Sequence, residues 1–451
     1  MRDERDSFAI LDRAIGAASA GEADAVFVST DQNISRFANS SVHQNMSEIS
    51  AELTLRVIVD GKMGVASTTS FDDAEIARTA ELACEAARHS DRLQNFTGLH
   101  RDNEPLPNLR TFDAHVAGIA PAEKARALRQ MFDRGAEAGV HFAGSYLTAA
   151  SSVACANTHG VRRFATMTSS NATVIAIRGD DSGYATAAAR DNVDIPSLGA
   201  EATTKATLCA GRVADIEPGP IDVILEPAAT AEVLEWLDMI AFSGAAFEDG
   251  SSFFVGNIGK KVMGENVTLA DDSLDDAFLP FPFDVEGMAK GRVPLIERGV
   301  VRTPVVDKVY ADRLALAPTG NAWSLGGGEH GIAFHLSLDG GDATREELIA
   351  STKRGIWVTR FNYVNGLLEP KTALMTGTTR DGTFLIENGE VVARLPNLRW
   401  TQSITEAWSR IDGLTRERRR IGTWFNDFGG TIAPVMKVAG WNVTGKQSAE
   451  R

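Results

Sequence analysis

Short catalytic signatures are missing from this sequence. It has no Gly-x-x-x-x-Gly-Lys-Ser/Thr phosphate loop, no Gly-x-Ser-x-Gly nucleophile turn and no His-Glu-x-x-His helix. Cysteine is scarce too: Cys84, Cys155 and Cys209 are the only three, with no close pair. That spacing excludes a CxxC metal knuckle and a disulfide framework, and it suits a reducing compartment. No stretch reaches the ~18 uninterrupted apolar residues needed to cross a bilayer. The N-terminus, Met-Arg-Asp-Glu-Arg-Asp-Ser-Phe, mixes charges of both signs and lacks an apolar leader core. A cytoplasmic protein with no membrane contact is the expectation. Clustered positive charge is missing as well, because the net charge of −15 is spread along the chain. Nucleic-acid binding by counterion displacement is therefore not expected. The one basic run, Arg416-Glu-Arg-Arg-Arg420, reads as a solvated helix face.

The 451 residues present are 43% hydrophobic and 23% charged, the composition of an ordinary globular protein. At about 100 to 200 residues per domain, two domains are expected. The best linker is Ile216-Glu-Pro-Gly-Pro-Ile221, where two prolines and a glycine interrupt regular structure. It separates an N-terminal α/β domain, residues 1–215, from a C-terminal β-rich domain, residues 221–451.

Hydrophobic period sets the elements. Helical spacing over Ser7–Gly21 is followed by strand alternation in Ala23–Ser29 and Ser47–Val59, the latter running into the hairpin pair Asp60-Gly61 and a return strand Lys62–Thr68. Phe71–His89 reads as an amphipathic helix with Ile76, Ala80, Leu82, Ala83 and Ala87 on its apolar stripe and Cys84 as core packing. A second helix spans Pro121–Gly139. Strands are expected at Tyr146–Val153, Arg162–Ser169 and Ala172–Arg178, and a helix at Ile195–Leu208. The fold class is α+β: helices on a mainly antiparallel sheet, then a barrel or sandwich of short strands. In that second half, Val223–Leu225 reads as a strand, Ala228–Phe242 as a helix and Ile332–Leu338 as a strand. Two echoing segments, Leu295–Val300 and Leu385–Val391, read as paired hairpins around Glu-x-Gly.

The most tempting ligand-binding remnant is Gly326-Gly-Gly-Glu-His-Gly331, because glycine lets a ligand approach the backbone and Glu329, His330 and His335 lie close by. His330 and His335 are five apart, which is not the i, i+4 spacing of a helical zinc pair. The loop reads more simply as a flexible entry to a strand. His43, His100, His115, His141 and His159 have no second ligand at useful spacing.

Several segments stand out by their order. These are Arg36-Phe37-Ala-Asn-Ser-Ser41 and Leu55-Arg-Val-Ile-Val-Asp-Gly-Lys-Met-Gly-Val-Ala-Ser67 in the first half. In the second half they are Gly250-Ser-Ser-Phe253 with Ile258-Gly259, Pro294–Val300, Asp307-Lys308 with Ala311 and Arg313, Pro318-Thr-Gly-Asn321 and Thr376–Gly389. In that order they resemble the TldD/PmbA family, in its PmbA/TldE-like branch; by that resemblance, the family's zinc-bearing TldD branch carries His-Glu-x-x-x-His on a helix before the Gly-Ser-Ser segment and a cysteine ligand near the C-terminus. Counted back from Ser251, the motif falls on Glu235-Trp-Leu-Asp-Met-Ile240. Glu235 and Ile240 stand where the histidines would be and Trp236 where the glutamate would be, while Gly422–Lys437 contains no cysteine.

The resemblance thus implies a non-catalytic subunit with no metal or cofactor of its own. Its partner would be a TldD-like chain that carries the zinc, or a second copy of itself, and the complex would process unfolded or modified peptides. Candidate peptide-contacting residues are Gly326, Gly327, Gly328, Glu329, His330, Thr319 and Asn321. Two other readings remain open: a stand-alone metallopeptidase-family hydrolase using Glu329, His330 and His335, and a peptide-binding homodimeric scaffold.

Overall fold

The structure is a computed structural model that describes residues 1–19, 21–277, 279–325, 331–422 and 429–446. Its first half runs α1 (Glu4–Ala17), β1 (Glu22–Ala38), β2 (Ser41–Val59), β3 (Lys62–Thr68), α2 (Asp73–His89), α3 (Ala114–Ala117), α4 (Pro121–Glu137), β4 (His141–Asn157), β5 (Arg162–Arg178), β6 (Asp181–Ala189) and α5 (Ile195–Thr207). The strands form one antiparallel sheet in the order β3-β2-β1-β4-β5-β6.

That order hides a repeat. Helix, three meandering strands and helix occur twice, as α1-β1-β2-β3-α2 and α4-β4-β5-β6-α5, and the two copies meet along β1 and β4. Each copy has a glycine at the third position of its last strand, where that strand touches its own helix. A Cβ on Gly64 would stand 2.0 Å from the Ala83 carbonyl and 2.3 Å from the Ala87 amide. One on Gly183 would stand 2.2 Å from the Ala202 carbonyl and 2.4 Å from the Ala206 amide. The helix backbone lies directly on the strand in both copies, at the same chain separation.

Local chemistry explains the boundaries. Asp72 and Asp194 cap α2 and α5 by accepting from the Glu75 and Ser197 amides. The turns Asn39-Ser40 and Asp60-Gly61 have positive φ at both central residues, the conformation that matches two-residue hairpins to strand twist. One face of the sheet packs Phe27, Leu53 and Leu55 against Ile76, Ala83 and Cys84. Leu82, expected on that stripe, is 48% exposed and points away. In the second copy, the strand expected at Ala172–Arg178 is the continuation of β5, since the polar residues between it and Arg162 still pair with β4 throughout.

The second half comprises β7 (Gly219–Leu225), α6 (Pro227–Leu237), a π-helical turn (Asp238–Phe242), α7 (Gly244–Glu248), β8 (Leu269–Asp272), β9 (Arg292–Glu297), β10 (Val300–Val301), α8 (Lys308–Leu314), β11 (His335–Leu338), α9 (Arg345–Ala350), β12 (Arg354–Glu369), β13 (Leu374–Glu387), β14 (Glu390–Arg394), β15 (Leu398–Ser403), α10 (Ile404–Trp408), β16 (Ile411–Ile421) and β17 (Gly430–Lys446). Among the described residues these strands make an eleven-stranded mixed sheet. The pairing β17-β15-β13-β12-β7 returns to β17, so five strands close a barrel. Phe361, Trp400 and Trp441 are buried together, with centroids 4.7 to 5.8 Å apart. The fold is therefore α+β, with helices on an antiparallel sheet followed by a β-rich half.

Several details differ from expectation. Pro220 and Ile221 belong to β7 rather than to a linker, because β7 needs its full length to pair with both β12 and β17. The two echoing hairpins form, across Arg298-Gly299 and Asn388-Gly389, but β10 pairs with β9 and β14 with β13, so they do not pair with each other. Arg416–Arg420 lies on strand β16, not on a helix. Its arginines have defined partners: Arg418 on the Ser337 hydroxyl, Arg419 on Glu201 of α5, and Arg420 on the Ala188 carbonyl. The strand from Ile332 shrinks to His335–Leu338.

Candidate functional site

Two cavities meet at Trp323, which lines both. The first, of about 480 Å³, is built where α6 changes character. Pro227 starts that helix at its first turn, where a missing N–H costs nothing. At Asp238 the hydrogen bonding widens to the π pattern. In a regular α-helix, residues five apart diverge by about 140° around the axis; an i→i+5 turn brings them nearer one face. Glu235, Asp238, Met239 and Ile240 accordingly line the same cavity, with Ser243 and Asp249 from the following turn. Glu235 is 7% exposed, and Asp238 accepts from the Ala333 amide at 3.1 Å. Trp236 packs on Gly366, where an added Cβ would come within 2.9 Å of the indole.

The donor set tests whether zinc suits this place. Glu235, Asp238 and Asp249 offer carboxylates, whereas Ile240 offers no lone pair. Catalytic zinc takes three protein ligands, usually rich in imidazole, and leaves one position open. Among the described residues no group of three or more His, Cys, Asp or Glu side chains is disposed to hold a metal ion. The described residues do not fit a catalytic zinc.

Of the other sequence candidates, Thr319 and Asn321 are described, and neither lines either cavity. The Thr319 hydroxyl accepts from the Val306 amide at 2.8 Å and donates to its carbonyl at 3.0 Å. Asn321 is wholly buried, and its amide donates to Asp271 at 2.7 Å and to the Ile332 carbonyl at 3.0 Å. Asp271 also accepts from the His335 backbone amide at 2.6 Å. His335 is 1% exposed with Nε2 2.8 Å from the Leu279 carbonyl, which accepts only, so Nε2 carries the proton. Gly326, Gly327, Gly328, Glu329 and His330 lie outside the described residues.

The second cavity, of about 620 Å³, was not foreseen from the sequence. It lies between the helix-free face of the first sheet and the segments 281–285, 322–325 and 334–335. Beside it, Val26, Val153 and Met167 pack on Leu279, Phe283 and Leu325. A buried ionic cluster ties the halves together there. Arg56 of β2 donates to both oxygens of Asp24, at 2.9 and 2.5 Å, and to Glu286 at 2.8 Å. The other Glu286 oxygen accepts from the Lys308 amide at 2.9 Å. Burial pushes the Glu286 carboxyl up to about 8, against the pull of Arg56 and assisted by Asp307, Asp284 and Asp24. The sequence signal was a lone arginine set into the largely apolar run Leu53–Val59.

The comparisons with known proteins agree with this architecture. The family model described as "PmbA/TldA metallopeptidase C-terminal domain" matches residues 218–445, and "PmbA/TldA metallopeptidase domain 1" matches 23–87. Metalloprotease PmbA of Escherichia coli O157:H7 is 25% identical over 412 residues, covering 86% of this chain and 85% of that one. A metalloprotease of Methanothermobacter thermautotrophicus is 25% identical over 246 residues, 54% of this chain and 52% of its own length, so the match spans about half of that relative. Among solved structures, TldE from Thermococcus kodakarensis superposes with a TM-score of 0.85 at 19% identity, over 97% of this chain and 99% of that one. A Thermotoga maritima protein superposes with a TM-score of 0.84 at 19% identity, over 97% and 100%. These superpositions establish the shared fold. With a family model matched over half its length, the chain belongs to the PmbA/TldD metallopeptidase family.

Proposed function

We propose that this chain is a TldE-like, non-catalytic subunit that binds peptide beside the active site of a TldD-type zinc metallopeptidase, in the proteolysis of unfolded or modified peptides. The observation that carries the reading is the side-chain set at the cavity on the α6 turn. Glu235, Trp236 and Ile240 occupy the helix positions where the family resemblance puts His-Glu-x-x-x-His. A carboxylate, an indole and an alkyl group do not provide the ligands that make a zinc-bound hydroxide near neutral pH. The zinc then belongs to a TldD-like partner in the same cytoplasm, and this chain contributes walls and peptide contacts. Its own residues here shape a cavity and exclude water; they perform no bond-breaking step.

The test combines purification and metal analysis. Co-expressed with a TldD-like chain from the same cell, this protein should co-purify with it, and zinc and peptidase activity should follow the partner's His-Glu-x-x-x-His helix. Stoichiometric zinc in this chain alone, lost on His330→Ala, would overturn the reading in favour of a stand-alone hydrolase. A stable homodimer that recruits no TldD-like chain would favour the scaffold.

A further inference from the structure

We propose that the cavity between the two halves is a binding pocket for one uncharged apolar side chain, aromatic or branched aliphatic, of an extended peptide. The inference rests on the peptide-binding part of the proposed function and names what that binding recognises.

The cavity's volume, about 620 Å³, is in the range of pockets that take small ligands, roughly 300–1,000 Å³. Val28 and Val153 form its floor on the first sheet, and Phe281, Phe283, Trp323 and Phe334 face them. Water in such a space finds few partners, so an apolar group that replaces it gains free energy. Apart from Glu52 at the exposed mouth, the charged groups in the lining are already matched inside the fold. Lys290 Nζ donates to the Gly320 carbonyl at 3.0 Å and lies 3.8 Å from Asp271. Asp284 accepts from the amides of Glu286, Met288 and Ala322. His335 Nε2 is held by the Leu279 carbonyl. None of these calls for an ionic ligand group, which is why the occupant is uncharged.

The mouth indicates that the group arrives on a peptide. Ser50, Glu52 and Thr69 line the cavity and are exposed. Strand β3 pairs with β2 only from Leu53 to Val59. From Ser41 to Glu52 the outer edge of β2 has no strand partner among the described residues, and the cavity opens where that edge begins. An extended chain can pair with such an edge through its backbone while every second side chain turns to one face. Glu52 at the mouth favours basic flanking residues. Trp323 forms a wall of both cavities, so a peptide anchored here passes beside the Glu235–Ile240 cavity.

Isothermal titration of the full chain with two blocked peptides tests this: acetyl-Lys-Ser-Phe-Ser-Lys-amide and its counterpart with Ala for Phe. The Phe peptide should bind roughly tenfold to a hundredfold more tightly, the factor expected for burying one aromatic side chain. Val28→Trp fills the cavity from its floor, and Ser50→Trp covers its mouth from an exposed position that the fold tolerates. Both should abolish the preference, bringing the Phe peptide's affinity down to that of the Ala peptide. Equal affinities in the wild type, or a preference that survives Ser50→Trp, overturn the proposal. So does a wild-type dimer that Val28→Trp converts to monomer, because a second copy would then occupy the pocket. If the Phe preference stands but this chain never alters cleavage by a TldD-like partner, the subunit role fails and the pocket remains. If cleavage is stimulated equally for both peptides, only the pocket fails.

Discussion

Replacing Arg56 by methionine removes the charge that joins the two halves and nearly preserves the side-chain volume. The guanidinium is 2% exposed, and its partners Asp24 and Glu286 are 5% and 3% exposed. Burial works against the Arg56 charge, but Asp24 and Glu286 outweigh it and hold the group protonated well above its ordinary value. The Arg56→Met variant would leave two carboxylates in the interior without a counterion, one keeping only the Lys308 amide as donor. Breaking a buried ion pair from one side costs about 3–5 kcal/mol, a large share of the ~5–15 kcal/mol that stabilises a typical domain.

The sign of the pH dependence follows from Glu286. Its folded value, about 8, lies above its ordinary 4.5. The unfolded chain therefore holds fewer protons on this group between those values, and stability falls as pH rises through that window. Without Arg56 the Glu286 carboxyl moves further up, so its share of the variant's deficit opens only above pH 8, where wild type stops losing stability through this group and the variant continues to, by at most about 1.4 kcal/mol per pH unit. Urea unfolding of wild type and Arg56→Met at pH 6.5, 8 and 9.5, followed by tryptophan fluorescence and by far-UV circular dichroism, measures this. The triple variant Asp24→Leu/Arg56→Met/Glu286→Met should recover most of the loss, since an apolar trio carries no unpaired charge. A deficit below about 1 kcal/mol at pH 8, or one that does not grow between pH 8 and 9.5, would refute the reasoning.

Other perturbations test other parts of the fold. Lys124 is 1% exposed, donates to the Asn33 carbonyl at 2.7 Å and to the Asn33 side chain at 3.0 Å, and is lowered by burial to about 8. Its charged form is disfavoured in the fold, so stability gained by wild type over Lys124→Met should increase as pH rises from 8 toward 10.5; an NMR titration of labelled lysines in which none departs from the ordinary range would contradict this. Gly64→Ala and Gly183→Ala should each cost about 1–3 kcal/mol, because their Cβ atoms meet helix backbone that has nowhere to go; melting temperatures unchanged in both variants would remove that explanation. Cys84, Cys155 and Cys209 are buried, and burial pushes the Cys155 thiol well up. Ellman's reagent should therefore titrate them only as the protein unfolds, and rapid reaction of any in the native state would show an opening absent from this structure.

Much of the first half was legible because one face of its sheet is packed and the elements that cover it are close in the chain. Alternation over Ser47–Val59 and the pair Asp60-Gly61 placed a hairpin, and the apolar stripe from Ile76 to Ala87 placed the helix that covers it. The αβββα repeat was not legible. It survives as a single glycine and two alanines per copy, a constraint of close approach rather than of composition. Leu82 departs from expectation since a stripe read from one helix does not say which edge of it the neighbours reach. Arg416–Arg420 departs for a related reason: charge density looks alike on a solvated helix and on a strand whose partners come from residues 188, 201 and 337.

At the candidate site, the sequence by itself determined which side chains are present: Glu235, Trp236 and Ile240, at the positions where the family resemblance puts His-Glu-x-x-x-His. Residue identity decides whether lone pairs exist, and no packing can add them. Tertiary structure alone decided that Glu235 and Ile240 share a cavity, because the α6 hydrogen-bond pattern widens at Asp238, and that Asn321 is committed to Asp271. It also decided that the helix-free face of the first sheet meets the aromatic segments around Phe281 and Trp323. A cavity between two halves of a chain is made by surfaces distant in sequence, and periodicity within either surface carries no information about the other.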